Sequence, residues 1–196
     1  TYPHKNLSGV ALAFKLVCAL SGNPEEMLRE YADMVCLGTV ADVIPLVGEN
    51  RVFVSRGLQA LKHTTRPGLA ALIKECGCDP DSLNASSIGF MLAPRINAAG
   101  RMGQIDIAID LFLTHDETQA AKDAKGLCEL NRQRQAVESE IYKQAIDMLP
   151  QGGLPDAIVL ADESWHQGVV GIVASRIAEE FACPTFLICL DGEHGK

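Results

Sequence analysis

A single carboxylate lies in one of the most apolar stretches of the chain. The stretch "LGTVADVIPL" runs from Leu37 to Leu46, and its acid is Asp42. An unpaired buried carboxylate is costly, so this pattern predicts that Asp42 is protonated, hydrogen-bonded, ion-paired or bound to a metal. The spacing leaves two roles about equally open, a helix-capping acid bonded to the backbone and one ligand of a metal site. A metal site would need further oxygen or nitrogen ligands besides Asp42.

A second stretch, "LAPRINAAGRMG", combines cationic side chains with small residues. Arg95, Asn97 and Arg101 lie within seven positions, among one proline and several alanines and glycines. Small residues let a backbone approach a ligand closely, and arginine binds phosphate through a two-pronged contact. Because proline and glycine break helices, we expect an irregular phosphate-contacting loop here. The alternative is a tight connection between helices whose arginines pair with Asp106 or Asp110.

A third stretch, "DESWHQGVVGIVASRIAEEF", has the pattern of a strand end followed by a helix. Trp165, His166 and Gln167 fall at this turn. In α/β proteins, the carboxyl end of a strand and the following helix N-terminus form a common site for anions. The pattern therefore predicts an anion or ligand site at this turn. The alternatives are a packing role for Trp165 and a capping or turn role for His166.

The elements that would position these residues are mostly helices. "LSGVALAFKLVCAL" predicts a helix capped by Ser8, and its apolar residues on nearly all sides predict burial. "NPEEMLREYADMVCLG" carries a strong helix-start signal, with Asn23 as the N-cap, Pro24 at the first position and Glu26 three residues after the cap. Four further helices are predicted, over "NRVFVSRGLQALKH", "RPGLAALIKECG", "ASSIGFML" and "DIAIDLFLT".

The remainder of the chain predicts a change of architecture. A long helix over 115–149 follows a capping box formed by Thr114 and Glu117, and its polar middle, "NRQRQA", favours a helix that bridges two lobes. The segment "PQGGLP" at 150–155 predicts a linker. "DAIVLA", "GVVGIVASRIAEEF" and "PTFLICL" then predict a strand, a helix and a second, parallel strand. The expected fold class is α/β, mostly helical.

Composition and cysteine usage exclude several classes of protein. The 196 residues carry a formal net charge of −8, so a protein that simply coats nucleic acid is disfavoured, although a local basic cleft is not. No apolar run is long enough to span a membrane. Most of the seven cysteines lie in apolar segments (Cys18, Cys36, Cys128, Cys183 and Cys189), which predicts buried thiols in a reducing cytoplasm. The Cys76-x-Cys78 pair lacks the second half of a zinc motif, which favours ordinary thiols.

Taken together and in this order, four stretches resemble the RecJ family of single-strand-specific DNA exonucleases, within the DHH phosphoesterase superfamily. The stretches are "LSGVALAFKL", "LGTVADVIPL", "APRINAAGRMG" and "WHQGVVGIVASRI". Each is weak alone, but their joint occurrence is specific, and the similarity covers nearly the whole chain. The resemblance implies a metal-dependent 5′-to-3′ exonuclease that hydrolyses phosphodiester bonds of single-stranded DNA in repair and recombination.

The resemblance also implies roles for individual residues and domains. Asp42 matches a metal-binding motif, as a ligand of a Mn2+ or Mg2+ pair that activates water and stabilises charge on the leaving oxygen. Arg95, Asn97 and Arg101 match a loop beside the active cleft, where the resemblance implies phosphate contact. Trp165, His166 and Gln167 match the first motif of the DHHA1 lobe, where they would contact nucleic acid and Trp165 could stack on a DNA base. Residues 1–113 would be the C-terminal part of a DHH domain, 114–150 the connector and 151–196 the start of DHHA1. Single-stranded DNA would be the main partner, with a single-strand-binding protein and a helicase as further candidates.

Several family motifs are not in this sequence. The remaining metal ligands would lie before Thr1, and two later motifs would lie beyond Lys196. The absence of an initiator methionine and the end directly after a strand-like run predict a piece of a longer protein. The chain alone is therefore expected to be inactive. Two alternatives remain open, a relative that cleaves oligoribonucleotides or cyclic dinucleotides and a catalytically silent DHH-like scaffold that binds DNA or protein.

Overall fold

The computed structural model describes residues 2–150, 153, 155–192 and 194–196, most of them helical. The α-helices are α1 Gly9–Ser21, α2 Pro24–Ala41, α3 Gly48–Lys62, α4 Pro67–Glu75, α5 Ala85–Ser87, α6 Ala93–Arg101, α7 Ile105–Leu113, α8 Glu117–Asp147 and α9 Gln167–Phe181. A 3-10 turn covers Pro80–Ser82, and a π-helical turn covers Ile88–Leu92. The strands are β1 Ile158–Asp162, β2 Thr185–Asp191 and β3 His194–Gly195. The predicted α/β class is confirmed.

The chain divides into two compact units. The first contains residues 2–97 and 106–128, and the second contains residues 98–105 together with the described part of 129–196. The helices α6, α7 and α8 contribute residues to both units.

The first unit begins with two helices whose starts follow directly from the sequence. The Ser8 side chain accepts a hydrogen bond from the Ala11 amide, and the Asn23 side chain accepts one from the Glu26 amide. Both predicted caps are therefore confirmed. After α1, Gly22 adopts a left-handed conformation with φ of 69°, which ends the helix without the steric penalty that a Cβ would bring.

Burial of α1 differs from the sequence expectation. One face packs into a cluster that includes Phe14 and Phe53, whose rings meet edge to face at 5.5 Å. The opposite face carries Leu12, Leu16 and Leu20, which are 58%, 62% and 80% exposed. The expectation that the whole helix is buried was wrong, because an apolar helix surface is buried only where another element of the chain packs on it.

Close helix packing in the first unit depends on a glycine. A Cβ at Gly57 of α3 would lie 2.1 Å from the Cβ of Cys36 and 2.2 Å from the carbonyl oxygen of Ala32, both in α2. The missing side chain therefore lets α3 approach the backbone of α2, the helix that leads to Asp42.

The second unit contains the predicted strand–helix–strand arrangement. Strands β1 and β2 pair in parallel, from Ile158 opposite Thr185 to Asp162 opposite Cys189, and α9 connects them. The short β3 pairs with β2 in an antiparallel manner and was not predicted. The core of this unit combines side chains from α8, α9 and the first two strands, and includes Ile141, Trp165, Val173 and Leu187.

The long helix is confirmed as α8, but its cap differs from the prediction. The side chain of Asp116 accepts hydrogen bonds from the amides of Thr118 and Gln119, so Asp116 caps the helix. Thr114 instead accepts a hydrogen bond from the amide of Asp116, one step before the helix. The predicted Thr114–Glu117 capping box was wrong, because a second capping residue lies closer to the first turn.

Other predictions have simple outcomes. All seven cysteines are free thiols, and the five that were expected to be buried are buried. The predicted linker includes Gln151, Gly152 and Leu154, which lie outside the described residues, so it stays a prediction. In the described part of the chain, no helix has both the length and the apolar character needed to cross a membrane.

Replacing Gly57 with alanine tests the close packing of α2 and α3. Because the new Cβ would collide with backbone and side-chain atoms of α2, we expect a loss of about 1–3 kcal/mol in the free energy of unfolding. Urea denaturation followed by circular dichroism measures this loss. The matched control is Gly9→Ala in α1, where the new Cβ would meet no side chain or other segment among the described residues within 4 Å, and the expected effect is neutral or stabilising. Equal midpoints for the two variants would contradict this account of the packing.

Candidate functional site

Asp42 lies at the C-terminal end of α2. Its amide bonds to the carbonyl of Gly38 at 3.0 Å, so Asp42 is the C-cap residue. The side chain is exposed, and across the described residues its carboxylate has no hydrogen-bond or ion-pair partner. The expectation of a buried acid was wrong, because the helix ends at Asp42 and the apolar residues after it do not pack over the side chain.

This position is electrostatically unfavourable for a carboxylate. The carbonyl groups at a helix C-terminus carry a partial negative charge, which repels an anion and attracts a cation. Asp42 has no basic residue in the last turn of α2 to offset that repulsion. The structure therefore presents an uncompensated carboxylate that is free to bind a cation. The capping alternative is correct for the backbone of Asp42, which forms the C-cap. It does not hold for the side chain, which has no partner among the described residues.

The residue after Asp42 has a strained backbone. Val43 adopts a left-handed φ of 54°, and its side chain is 87% exposed. A left-handed conformation costs an L-residue roughly 1–2 kcal/mol, and branching at Cβ makes the conformation rarer still. Strain of this kind clusters at functional sites. Sequence reasoning missed Val43, because nothing in its residue type indicates a left-handed conformation.

Polar contacts hold the segment around Asp42 in place. Before it, the hydroxyl of Thr39 in α2 hydrogen-bonds to the hydroxyl of Ser8 at 3.0 Å, and both residues are buried. After it, the side-chain amide of Asn50 donates to the carbonyls of Asn6 and Pro45. Asn50 is completely buried, and sequence reasoning missed it. The sequence gives no signal for its burial, because α3 carries several other polar residues, such as Arg51 and Gln59, that are exposed.

The described residues do not form a complete metal site. Among the described residues, no group of three or more histidine, cysteine, aspartate or glutamate side chains is arranged to hold a metal ion. Asp42 fits a divalent cation as one oxygen ligand, because its carboxylate is exposed and unpaired.

The segment that was expected to be an irregular loop is helical. Residues 85–101 run through α5, a π-helical turn and α6 without a break. The wider π-helical turn precedes Pro94 and lets the chain accept this residue, which has no amide hydrogen to donate. The expected loop was therefore wrong, because sequence alone does not show that a widened turn accommodates the proline.

Arg95 is partly used by the structure. Its Nη1 donates to the carbonyl of Met91 at 2.6 Å and to that of Phe90 at 3.4 Å, and its Nε is buried without a partner. The guanidinium therefore donates to carbonyl groups in the turn before Pro94, and the proline nitrogen has no hydrogen to donate. A phosphate contact by Arg95 stays a prediction and is limited to the remaining nitrogen, Nη2. Asn97 lies on α6 and is exposed.

Two thiols lie near Arg95. The Sγ of Cys76 donates to the carbonyl of Met91 at 3.7 Å. Burial raises the pKa of Cys76 to about 12, with a further contribution from the neighbouring Cys128, while the Arg95 guanidinium acts in the opposite direction. Burial also raises the pKa of Cys78. Both thiols are therefore neutral at physiological pH.

Within the second unit, the structure brings two of the signature stretches together. Nη1 of Arg101 donates to the carbonyl of Gly168 at 3.0 Å. A Cβ at Gly168 would lie 2.0 Å from the carbonyl oxygen of Arg101, so the two backbones meet where only glycine fits. Arg101 is exposed, and its other guanidinium donors remain available. Neither Arg95 nor Arg101 pairs with Asp106 or Asp110 in the described part of the chain, so that alternative was wrong.

His166 and Gln167 form the start of α9 beside Arg101. His166 is the N-cap, and its Nδ1 accepts a hydrogen bond from the Gly168 amide at 3.1 Å. The predicted capping role of His166 is therefore confirmed, and it is carried out by Nδ1. Because Nδ1 accepts, the neutral ring carries its proton on Nε2, which can donate to a ligand. Gln167 is exposed at the first helical position, so a helix N-terminus, an arginine and two polar side chains lie together where an anion could bind.

Trp165 lies in the core of the second unit. It is 4% exposed, and its Nε1 donates to Oε1 of Gln144 in α8 at 2.8 Å. The stacking platform predicted for Trp165 was wrong, because both faces of the indole are covered by the protein. The packing alternative describes this residue.

Known proteins with similar sequences come from one group of nucleases. The chain is 44% identical over 197 residues to the single-stranded-DNA-specific exonuclease RecJ of Bacillus subtilis (strain 168), covering 100% of this chain and 25% of that protein. It is 36% identical over 210 residues to the RecJ of Escherichia coli (strain K12), covering 98% of this chain and 36% of that protein. The chain is related to the RecJ exonucleases. The resemblance inferred from its signature stretches is confirmed.

Solved structures agree. RecJ from Thermus thermophilus in complex with Mg2+ matches with a TM-score of 0.84 and 37% identity, over 96% of this chain and 30% of that one. A manganese-bound exonuclease RecJ matches with a TM-score of 0.83 and 37% identity, over 95% and 48% of the two chains. No protein-family model matches the chain. The RecJ-related chain spans 25% to 38% of the length of its curated relatives.

Gly168→Ala tests the contact between Arg101 and α9. The added Cβ would overlap the Arg101 carbonyl, so we expect the unfolding free energy to fall by about 1–3 kcal/mol. The matched control is Gly171→Ala in the same helix, where the new Cβ would meet no side chain or other segment within 4 Å in the described part of the chain. It should be stabilising by about 0.5–1 kcal/mol. Thermal denaturation compares the two variants. A Gly168 variant as stable as the Gly171 variant would disprove the close backbone approach.

Proposed function

We propose that the protein carrying this sequence is a metal-dependent 5′-to-3′ exonuclease that acts on single-stranded DNA in repair and recombination. The observation that carries the proposal is the uncompensated carboxylate of Asp42 at a helix C-terminus. It occurs in a chain that is 33–44% identical to six curated RecJ exonucleases over 92–100% of its length. Because these relatives are named for single-stranded DNA, they favour this substrate over oligoribonucleotides and cyclic dinucleotides.

In this proposal Asp42 provides one oxygen ligand to Mn2+ or Mg2+, the ions named in the related crystal structures. A bound divalent cation would supply Lewis-acid chemistry, which favours attack by water and stabilises charge on the departing oxygen. The hydrogen bonds of Asn50 hold the backbone after Asp42 in place despite the strain at Val43. A fixed backbone limits the entropy that this segment loses when the ion binds.

The nucleic-acid contacts proposed here follow from charge and from available donors. Arg101 offers free guanidinium donors at the N-terminus of α9, beside Nε2 of His166 and the side chain of Gln167. Asn97 and the remaining Arg95 nitrogen are further candidates for phosphate or sugar contacts. The donors of the second unit are electrostatically suited to the phosphate backbone of a single strand.

The domain assignment inferred from the resemblance is also part of the proposal. Residues 1–113 would belong to a DHH domain, 114–150 to a connector and 151–196 to a DHHA1 domain. Single-strand-binding protein and helicase partners stay predictions, as does the cytoplasmic location, with which seven free thiols are compatible.

The 196-residue chain by itself is expected to be inactive. Asp42 is one ligand, and the described residues hold no cluster that could complete a metal site. Incubation of the chain with 5′-labelled single-stranded DNA and Mn2+ should release no nucleotides. Metal-dependent release by the isolated chain would contradict the proposed division of the metal ligands.

Asp42→Asn separates function from stability. In the full-length protein we expect nuclease activity to fall at least as much as the roughly 10–100-fold typical of removing an outer-shell partner. In the isolated chain we expect unfolding to become about 0.3–1 kcal/mol less favourable, since an anion is removed from a helix C-terminus. Exonuclease assays and urea denaturation measure the two effects.

Asp147→Asn provides the matched control, because Asp147 is also an exposed acid at a helix C-terminus, that of α8. It should raise stability similarly and leave activity unchanged. Full activity of the Asp42 variant would refute the metal role.

A further inference from the structure

A partly buried hydrogen bond connects the long helix α8 to the start of α9. The indole Nε1 of Trp165 donates to Oε1 of Gln144 at 2.8 Å, and Nε2 of Gln144 donates to Oε1 of Glu140 at 3.1 Å. The indole has only a donor, so the amide must present its oxygen to Trp165 and its nitrogen to Glu140. The orientation of Gln144 is therefore fixed at both ends.

A series of further contacts leads from Trp165 to Arg101 within the same unit. Trp165 directly precedes His166, whose Nδ1 accepts from the Gly168 amide at 3.1 Å. The carbonyl of Gly168 then accepts from Nη1 of Arg101 at 3.0 Å, and the two backbones leave no space for a Cβ. A displacement of Trp165 would shift the first turn of α9, and Arg101 would lose its acceptor.

We propose that Gln144 is a positioning residue for the phosphate contact of Arg101, acting through Trp165 and the first turn of α9. This inference rests on the proposed function, since it requires that Arg101 contacts the DNA backbone. An exposed arginine samples many rotamers, and ordering it on binding costs entropy. The hydrogen bond to Gly168 orders the guanidinium in advance, and Gln144 keeps that acceptor in place.

The experiment is performed on the full-length protein with an unstructured single-stranded oligonucleotide. Gln144→Leu removes the acceptor and leaves the buried indole without a partner. We expect the Kd to rise roughly tenfold, as for a lost charge-assisted contact. The slope of log K against log salt should become shallower by about 0.7, the value for one lost phosphate contact on a single strand. Arg101→Gln should give the same change of slope, and the double variant should show no further change.

Two controls distinguish positioning from general stability. Gln135→Leu makes the same substitution on the same helix at an exposed residue with no hydrogen bond in the described structure, and should retain the wild-type slope. The exchange Glu140→Gln with Gln144→Glu keeps an acceptor for Trp165 and a donor for residue 144, so it should restore wild-type binding. Circular dichroism verifies that each variant is folded under the assay conditions.

The outcomes separate this inference from the proposed function. If Arg101→Gln changes the slope and folded Gln144→Leu does not, Gln144 contributes only stability and the positioning role is refuted. If Arg101→Gln itself leaves the slope unchanged, the phosphate contact fails, and the positioning role fails with it. Failure of the exchanged pair to restore binding after Gln144→Leu has weakened it would also overturn the inference.

Discussion

The repulsion between a carboxylate and the end of its own helix is the constraint on which this account depends. Asp42 closes α2, and the carbonyl groups there make a negative charge unfavourable. The described structure provides neither a basic residue nor a hydrogen-bond donor to offset it. The next residue, Val43, adds backbone strain and has little packing in return. The electrostatic repulsion at Asp42 and the backbone strain at Val43 are two unfavourable free-energy terms at adjacent positions. A bound cation would explain them, because its attraction for the carboxylate would make the negative charge at this helix end favourable.

The structure surrounding these two costs is held by specific contacts. The Ser8–Thr39 hydrogen bond holds α1 against the end of α2, and the close approach at Gly57 packs α3 against the middle of α2. Asn50 fixes the chain after Asp42 through its carbonyl contacts. In the second unit, Gly168 has a similar role, since it lets α9 reach the backbone of Arg101. In each unit, a glycine lets another helix pack against the helix that ends at a charged residue, Asp42 or Arg101.

Local signals in the sequence predicted much of the fold. The N-caps of α1 and α2, the long helix α8 and the β1–α9–β2 arrangement each follow from short-range patterns of caps, periodicity and turn residues. The helical path of α6 did not follow, because Pro94 and the glycines indicate a break unless a π-helical turn precedes them. The burial of Trp165 and the contact between Arg101 and Gly168 depend on residues that are distant in sequence. No local pattern encodes them. The type and order of the signature residues indicated the family, but the roles of Arg95, His166 and Trp165 required the structure.

Anomalous diffraction from crystals of the full-length protein grown with Mn2+ shows whether Asp42 is a metal ligand. We expect a manganese peak within roughly 2.5 Å of a carboxylate oxygen of Asp42, with the remaining ligands contributed from outside residues 1–196. A manganese site that is occupied without Asp42 in its coordination sphere, or an Asp42 carboxylate paired with an arginine or lysine instead, would contradict it.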